Sequence, residues 1–392
     1  MQFSLAYILD RKSNVAGYYI NFDSDNSSMA SFEVFKRVHS LKPFKTNVFG
    51  EVPLFCTIEP SVLREVSFNK YENSAPYFFY IVTPDFFVQS GVEDDSLLYK
   101  ELKKLGFKFA LYVTGPDSLS ELSVLESTYI LCGQDSNLIL DSSLQQYIAW
   151  DVETLTDYMV ARDKEYHLFY GRFINVPILI DVDEDIKANE LVVLRLIEQA
   201  NKIDDDYDVI RIAEIIQQDP TLSLNMLKLI NSLHFGLRRK VTNIKSGVVL
   251  LGRNELQRWC SALALEVLST GKPNHLLMSA LIRARMLELS AKDTGLSDNA
   301  GELFLLGLLT LSDSIMETSL EKILETISVD CEIENALVEQ DSIYSKNLQM
   351  ILSYMEADWN KANELRRSYG LGEEWLTALY TDALIWYTDI ML

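Results

Sequence analysis

The chain has 392 residues, 48% hydrophobic and 23% charged, enough apolar material for two or three packed domains and too much for wholesale disorder. With 35 Lys and Arg against 57 Asp and Glu, its formal charge of −22 opposes nucleic acid, anionic lipid and free phosphate unless a basic patch is set apart. Four cysteines, Cys56, Cys132, Cys260 and Cys331, form no CxxC pair, which argues against a zinc site and for reduced thiols in a cytoplasmic protein.

The opening MQFSLAYILDRKS lacks a basic lead-in, and its apolar run stops at Asp10. The densest apolar segment, LFLLGLLTL at 303–311, is too short to cross a bilayer, so no membrane association is expected. Short runs rich in aromatic and β-branched residues at 3–9, 15–22, 53–58, 77–82, 107–113 and 128–132 predict strands. Several are near-continuously apolar, as in strands covered on both faces. Segments 28–41 and 96–106 read as helices between them. The alternation predicts an α/β domain with a largely parallel sheet, one form of which is a closed barrel. After Pro177 an acidic connector at 181–190 leads into helical periodicity that lasts to the C-terminus. The expected domains are therefore 1–180, α/β, and 186–392, all-α.

Read in order, ILDRKSNVAGYYINFD (8–23), VPLFCTIEPSVL (52–63), LKKLGFKFALYVTG (102–115) and AWDVETLTDYMVARDKEYHLFYGRFINVP (149–177) resemble the EAL family, barrel phosphodiesterases that linearise cyclic di-GMP. The resemblance covers roughly 3–177 and implies a TIM-type barrel. The family's chemistry needs carboxylates and an Asn that hold divalent metals, which activate water for attack on a phosphodiester. At the matching positions this chain carries Tyr19 for the motif Glu, Asp23 for a phosphate-binding Arg and Thr57 for the Asn. Tyr80 falls on the acidic strand, Tyr112 and Val113 replace an Asp pair, Leu131 falls near the catalytic Lys, and Tyr170 replaces a Gln. Glu153 alone is retained. One carboxylate cannot hold two divalent ions, and Asp23 would repel phosphate. The resemblance thus implies a degenerate barrel kept as scaffold, with no catalytic residue, no metal and no cofactor. Cyclic di-GMP sensing or residual phosphodiesterase activity stand as the alternatives.

In DPTLSLNMLKLINSLHFG (219–236), Asp219 suits an N-cap and Pro220 the first helical position. Leu222, Met226, Ile230 and Leu233 recur at helical spacing, Leu224 and Leu227 broaden the stripe, and Asn231 projects from it. TNIKSGVVLLGRNELQRW (242–259) adds a capped helix, a break at Gly252 and a further helix. Together, 212–259 resembles the HDOD family, an all-helical relative of HD phosphohydrolases found in bacterial signalling proteins. The resemblance covers about 186–392, with its core at 211–260. HD enzymes hold metal with a His-Asp pair, whose places here are Thr310 and Leu311, and no histidine follows His275. Asp313 reads as a cap or a solvated residue. Asn231 and Ser232 read as a buried polar latch or, alternatively, a recognition spot.

Residues 220–260 carry Lys228, Arg238, Arg239, Lys240, Lys245, Arg253 and Arg258 against Glu255 alone. The acidic surroundings disfavour nucleic acid, so an acidic protein partner or an intramolecular one is the expected occupant, with Lys228, Arg238, Arg239, Lys240 and Arg253 as contact candidates. The aromatic C-terminal stretch at 370–392 reads as a last helix packed on the bundle, or as a dimer or partner surface. These features predict a non-catalytic bacterial signal-transduction protein that acts through protein–protein contact, with a homodimer one possible form.

Overall fold

The computed structural model describes residues 2–23, 52–69, 77–83, 95–113, 129–133, 145–175, 208–218, 220–230, 243–253, 274–327, 329–339 and 341–391, with isolated positions between them. The chain divides into two compact units: 1–177 with 353–363 and 372–388, and 178–352 with 364–371 and 389–392. The first division adjoins the expected connector. Within the expected domain 186–392, residues 353–363 and 372–388 group with the first unit.

The first unit is built on eight strands: β1 (Phe3–Asp10), β2 (Val15–Phe22), β3 (Leu54–Thr57), β4 (Phe78–Val82), β5 (Lys108–Val113), β6 (Tyr129–Gly133), β7 (Gln146–Trp150) and β8 (Leu168–Phe169). They close into a barrel in chain order, so the expected TIM-type barrel is what the sequence folds into. One departure from parallel order has a plain cause. Only four residues separate β1 from β2, far short of the dozen or so that a parallel crossover needs. The two strands therefore form a hairpin, and β1 is antiparallel to both β2 and β8. The Asp10 carboxylate holds the turn, accepting from the amides of Lys12 and Asn14 at 2.8 Å each. Ser13 takes the left-handed backbone that the turn requires (φ 62°).

Alternation along the strands sends Ile8, Phe55, Ile81, Ala110, Leu131, Ile148, Trp150 and Leu168 to the barrel interior, with Tyr19, Phe79, Tyr112, Tyr129 and Tyr170 packed against them. Outward residues such as Tyr80, Leu111, Val113 and Ile130 are also buried, which explains the unbroken apolar runs. Helices α1 (Pro60–Phe68), α2 (Asp95–Lys104) and α3 (Leu155–Asp163) follow β3, β4 and β7. Thr154 and Asp157 form a reciprocal capping box at the start of α3.

The second unit opens with α4 (Val209–Gln218), α5 (Pro220–Ile230) and α6 (Ile244–Leu251). The predicted stripe of Leu222, Met226 and Ile230 is fully buried with Ile212, Ile216 and Val248, whereas Leu224 lies outside it, 54% exposed. Asn243 caps α6 and Gly252 ends it at φ 73°. Next come α7 (Asn274–Ser290), α8 (Ala300–Leu309), α9 (Ser312–Met316), α10 (Leu320–Thr326) and α11 (Cys331–Val338). A Cβ on Gly307 would lie 2.4 Å from Ala284 Cα, so this glycine is what lets α8 lie against the α7 backbone. The last helices are α12 (Ser345–Met355), α13 (Trp359–Ser368) and α14 (Trp375–Met391).

Residues 353–363 and 372–388 pack in the first unit. Tyr354 donates to the Phe3 carbonyl at 2.8 Å, and the Leu5 amide donates to the Tyr380 hydroxyl at 3.1 Å. Gln2 and Asn363 exchange two hydrogen bonds of 2.9 and 3.0 Å. The aromatic C-terminal helix expected on the bundle thus covers the β1–β2 hairpin, because a hairpin brings no crossover helix of its own.

Candidate functional site

In barrels of this type the ends of the strands leading into the βα loops carry chemistry. Tyr19, Thr57, Tyr112, Trp150 and Tyr170 occupy inward positions toward that end. Tyr19, Trp150 and Tyr170 pack on one another, with ring centroids 5.1 Å apart for Tyr19–Trp150 and Tyr19–Tyr170, and 4.0 Å for the stacked Trp150–Tyr170 pair. Tyr19 hydrogen-bonds with Thr57; burial foremost, with Cys56 and Asp151 adding, raises the Tyr19 pKa. Burial likewise raises Tyr170, helped by Tyr19, Asp151 and Glu153 and opposed by Arg172. Both phenols therefore stay neutral at ordinary pH.

Alternation sorts the positions that the EAL resemblance singled out. Tyr19, Thr57, Tyr112, Leu131 and Tyr170 face the interior together. Tyr80 and Val113 do not, and this corrects the placement of Tyr80 among them. Tyr80 lies on the outer face of β4, its hydroxyl 2.6 Å from His39 Nε2, within a layer of Phe35, Phe78, Phe107 and Phe109. The inward residues of β4 are Phe79 and Ile81. Asp23 follows β2 and donates its amide to the Gln2 carbonyl at 3.2 Å.

Glu153 lies at the surface, 3.8 Å from Arg172, both more than half exposed. Its neighbours explain why the surrounding motif persists. Val152 exchanges backbone bonds with Tyr170 (3.0 Å) and Phe173 (3.2 Å), and a Cβ on Gly171 would lie 2.1 Å from the Val152 carbonyl oxygen. Thr154 caps α3. Residues 152–173 are thus one interlocked backbone unit, whatever Glu153 does.

Sequence reasoning overlooked Asp151. It follows Trp150 at the end of β7 with a left-handed backbone (φ 60°), and burial, then the Glu153 charge, raise its carboxyl above the ordinary range. Tyr19, Tyr112 and Tyr170 all feel its charge. A strand-end carboxylate is the signal that could have found it. Among the described residues no three His, Cys, Asp or Glu side chains gather as a cation site. The inward donors here, neutral phenols and one threonine hydroxyl, do not fit a pair of divalent ions, which need anionic oxygens.

In the second unit, Thr310 ends α8, donates to the Gly307 carbonyl at 2.7 Å and accepts from Arg283 Nη1 at 3.3 Å. Leu311 is the N-cap position of α9 and makes no side-chain cap, so the cap expected of Asp313 is not formed; Asp313 lies in the first turn and accepts from the Ser314 amide at 2.7 Å. A guanidinium against a hydroxyl therefore stands where the sequence resemblance expects a His-Asp pair. Of the basic candidates, Lys245 pairs with Glu214 at 3.6 Å and Arg253 is half-buried. Asp219, Asn231, Ser232, Arg238, Arg239 and Lys240 lie outside the described residues, as do the side chains of Pro220 and Lys228. No helix among the described residues is long and apolar enough to cross a membrane.

Residues 190–369 match the family model described as the HDOD domain. This part of the chain is an HDOD domain. The Gly307 approach and the Leu222–Met226–Ile230 stripe thus belong to an HDOD fold. The chain is 27% identical over 312 residues to the uncharacterized protein YuxH of Bacillus subtilis, covering 74% of each. It is 23% identical over 252 residues to the cyclic di-GMP phosphodiesterase CdgJ of Vibrio cholerae, covering 64% of this chain and 58% of that protein. Among solved structures, the EAL domain of Mycobacterium smegmatis DcpA aligns over 45% of this chain and 92% of its own, at 14% identity and a TM-score of 0.34. The barrel assignment rests on the closed strand order, not on that superposition.

Proposed function

We propose that this is a non-catalytic signal-transduction protein that works through protein–protein contact in cyclic di-GMP-linked regulation. The single observation carrying this reading is the packed Tyr19–Trp150–Tyr170 cluster at the loop end of the barrel. Three rings in mutual contact fill space that a dinucleotide and its metals would need, and they supply no anionic ligand. Asp151 and Glu153 beside them repel phosphate. The HDOD domain and the named phosphodiesterase among the relatives support the link to cyclic di-GMP signalling. An HDOD segment with Thr310 and Leu311 where the His-Asp pair would fall, and Arg283 donating to the Thr310 hydroxyl, supports a binding role over hydrolysis.

Incubating the full chain with cyclic di-GMP and Mg²⁺ or Mn²⁺ tests the claim. No linear product is expected. Turnover abolished by Glu153→Ala would overturn it. Calorimetry with the same dinucleotide tests the sensor alternative, and saturable heat at micromolar ligand would favour that reading instead.

A further inference from the structure

Strand β1 is longer than its partner on one side. β8 pairs with it only at Leu9 and Asp10, whereas β2 pairs along Phe3–Leu9. Successive backbone groups of a strand face opposite edges, so the Phe3 carbonyl and the Leu5 amide face away from β2. Over Phe3–Tyr7 no strand among the described residues pairs with that edge. An open edge of this kind is both a cost, if its polar groups are buried, and a template for unwanted pairing.

Two tyrosine hydroxyls from the end of the chain meet these groups. Tyr354 donates to the Phe3 carbonyl and Tyr380 accepts from the Leu5 amide. Both tyrosines are almost completely buried, Phe3 packs edge-on against the Tyr380 ring at 5.7 Å, and Tyr354 packs on Trp359 at 5.3 Å. Leu376, Ala383 and Leu384 on α14 are fully buried. Tyr387 adds to the electrostatic surroundings of Tyr18 on β2.

We propose that segments 353–363 and 372–388 form a clasp that replaces the strand partner missing from the β1 edge, so that β1 is committed to the barrel only when the end of the chain docks. The clasp uses donor and acceptor side chains instead of a strand, so it can release without unravelling the β2–β7 sheet. It also occupies the aromatic surface at the chain end, which is then not offered to a second copy.

Hydrogen exchange on the full chain tests this. In Tyr380→Phe the Leu5 amide is expected to exchange about tenfold faster, the loss of one buried hydrogen bond, while Leu111 and Ile130 in β5 and β6 keep their protection. In Ala383→Arg, which undocks α14, protection should fall across Phe3–Tyr7 while Leu111 and Ile130 keep theirs; loss throughout the barrel would overturn a clasp that releases β1 alone. Unchanged Leu5 exchange in Tyr380→Phe, or unchanged Phe3–Tyr7 protection in Ala383→Arg, would overturn it.

Discussion

Replacing His39 by glutamine probes the layer between β4 and the segment that covers it, and the structure sets the size of the effect. His39 is buried among Phe35, Phe78 and Tyr80, and burial lowers its pKa from 6.5 to about 4. The folded state thus holds the ring neutral, with Nε2 able to accept from the Tyr80 hydroxyl. On acidification the unfolded chain takes up this proton first. Between about pH 6.5 and 4 the unfolded state binds more protons, so stability rises with pH across that window. The contribution is complete above the ordinary histidine pKa and is lost as pH falls toward the folded value. At pH 5 the loss is about 2 kcal/mol, approaching about 3 kcal/mol below pH 4. The His39→Gln side chain keeps an acceptor for Tyr80 but carries no titrating proton. Urea unfolding at pH 7 and pH 5, followed by exchange of the Phe78–Val82 amides, should show wild type losing about 2 kcal/mol more than His39→Gln between the two pH values. The difference between variants cancels the shared response of the carboxylates. Equal losses would refute the reasoning, as would an NMR titration in which the His39 ring protonates above pH 6.

The glycines separate steric need from backbone strain. Gly171→Ala and Gly307→Ala place a Cβ 2.1 and 2.4 Å from backbone atoms of Val152 and Ala284, and should each destabilise by about 3 kcal/mol or more in thermal melts. At Gly252 a Cβ meets nothing within 4 Å, so Gly252→Ala carries only the strain of φ 73°, about 1 kcal/mol. In the second unit, fully buried Asn347 donates to Ser290 Oγ (3.0 Å) and Thr294 Oγ1 (2.7 Å) and accepts from the Tyr369 hydroxyl (2.6 Å). Asn347→Ala is expected to cost about 2–3 kcal/mol, and Tyr369→Phe should recover about 1 kcal/mol in the double variant; strictly additive effects would show that the bond carries no coupling.

Much of the fold was legible because period and composition report burial directly. The aromatic runs at 15–22 and 107–113 became β2 and β5 within a residue, and the Leu222–Met226–Ile230 spacing marked a buried face. Less visible was β8, only two residues long, which no propensity argument can find. Direction was also hidden: a strand run does not reveal whether its neighbour is parallel, and only the short link from Asp10 to Val15 makes β1 antiparallel. The C-terminal helix illustrates a third limit. Its apolar residues announce that it packs, but nothing local says that Tyr380 reaches the Leu5 amide, 375 residues away in the chain.

The candidate site shows how a period of two limits transfer by resemblance. Matching 77–82 to an acidic strand puts Tyr80 at a ligand position, yet side chains one residue apart face opposite sides of a barrel wall. Tyr80 therefore meets His39 outside, while Phe79 and Ile81 face in. At Tyr19, Thr57, Tyr112 and Leu131 the same matching selects inward residues. At the inward positions, ring, hydroxyl or hydrocarbon stands where the resemblance expects a charge or an amide. Tyr19 meets Trp150 and Tyr170 edge-on, and those two stack on each other, as packed core residues do. The retained motif at 152–173 follows the same logic, because Val152, Thr154 and Gly171 are needed to close the barrel whether or not Glu153 has a ligand to hold. Persistence of that motif is thus a statement about the backbone, and the chemistry of the barrel has to be judged from its inward side chains.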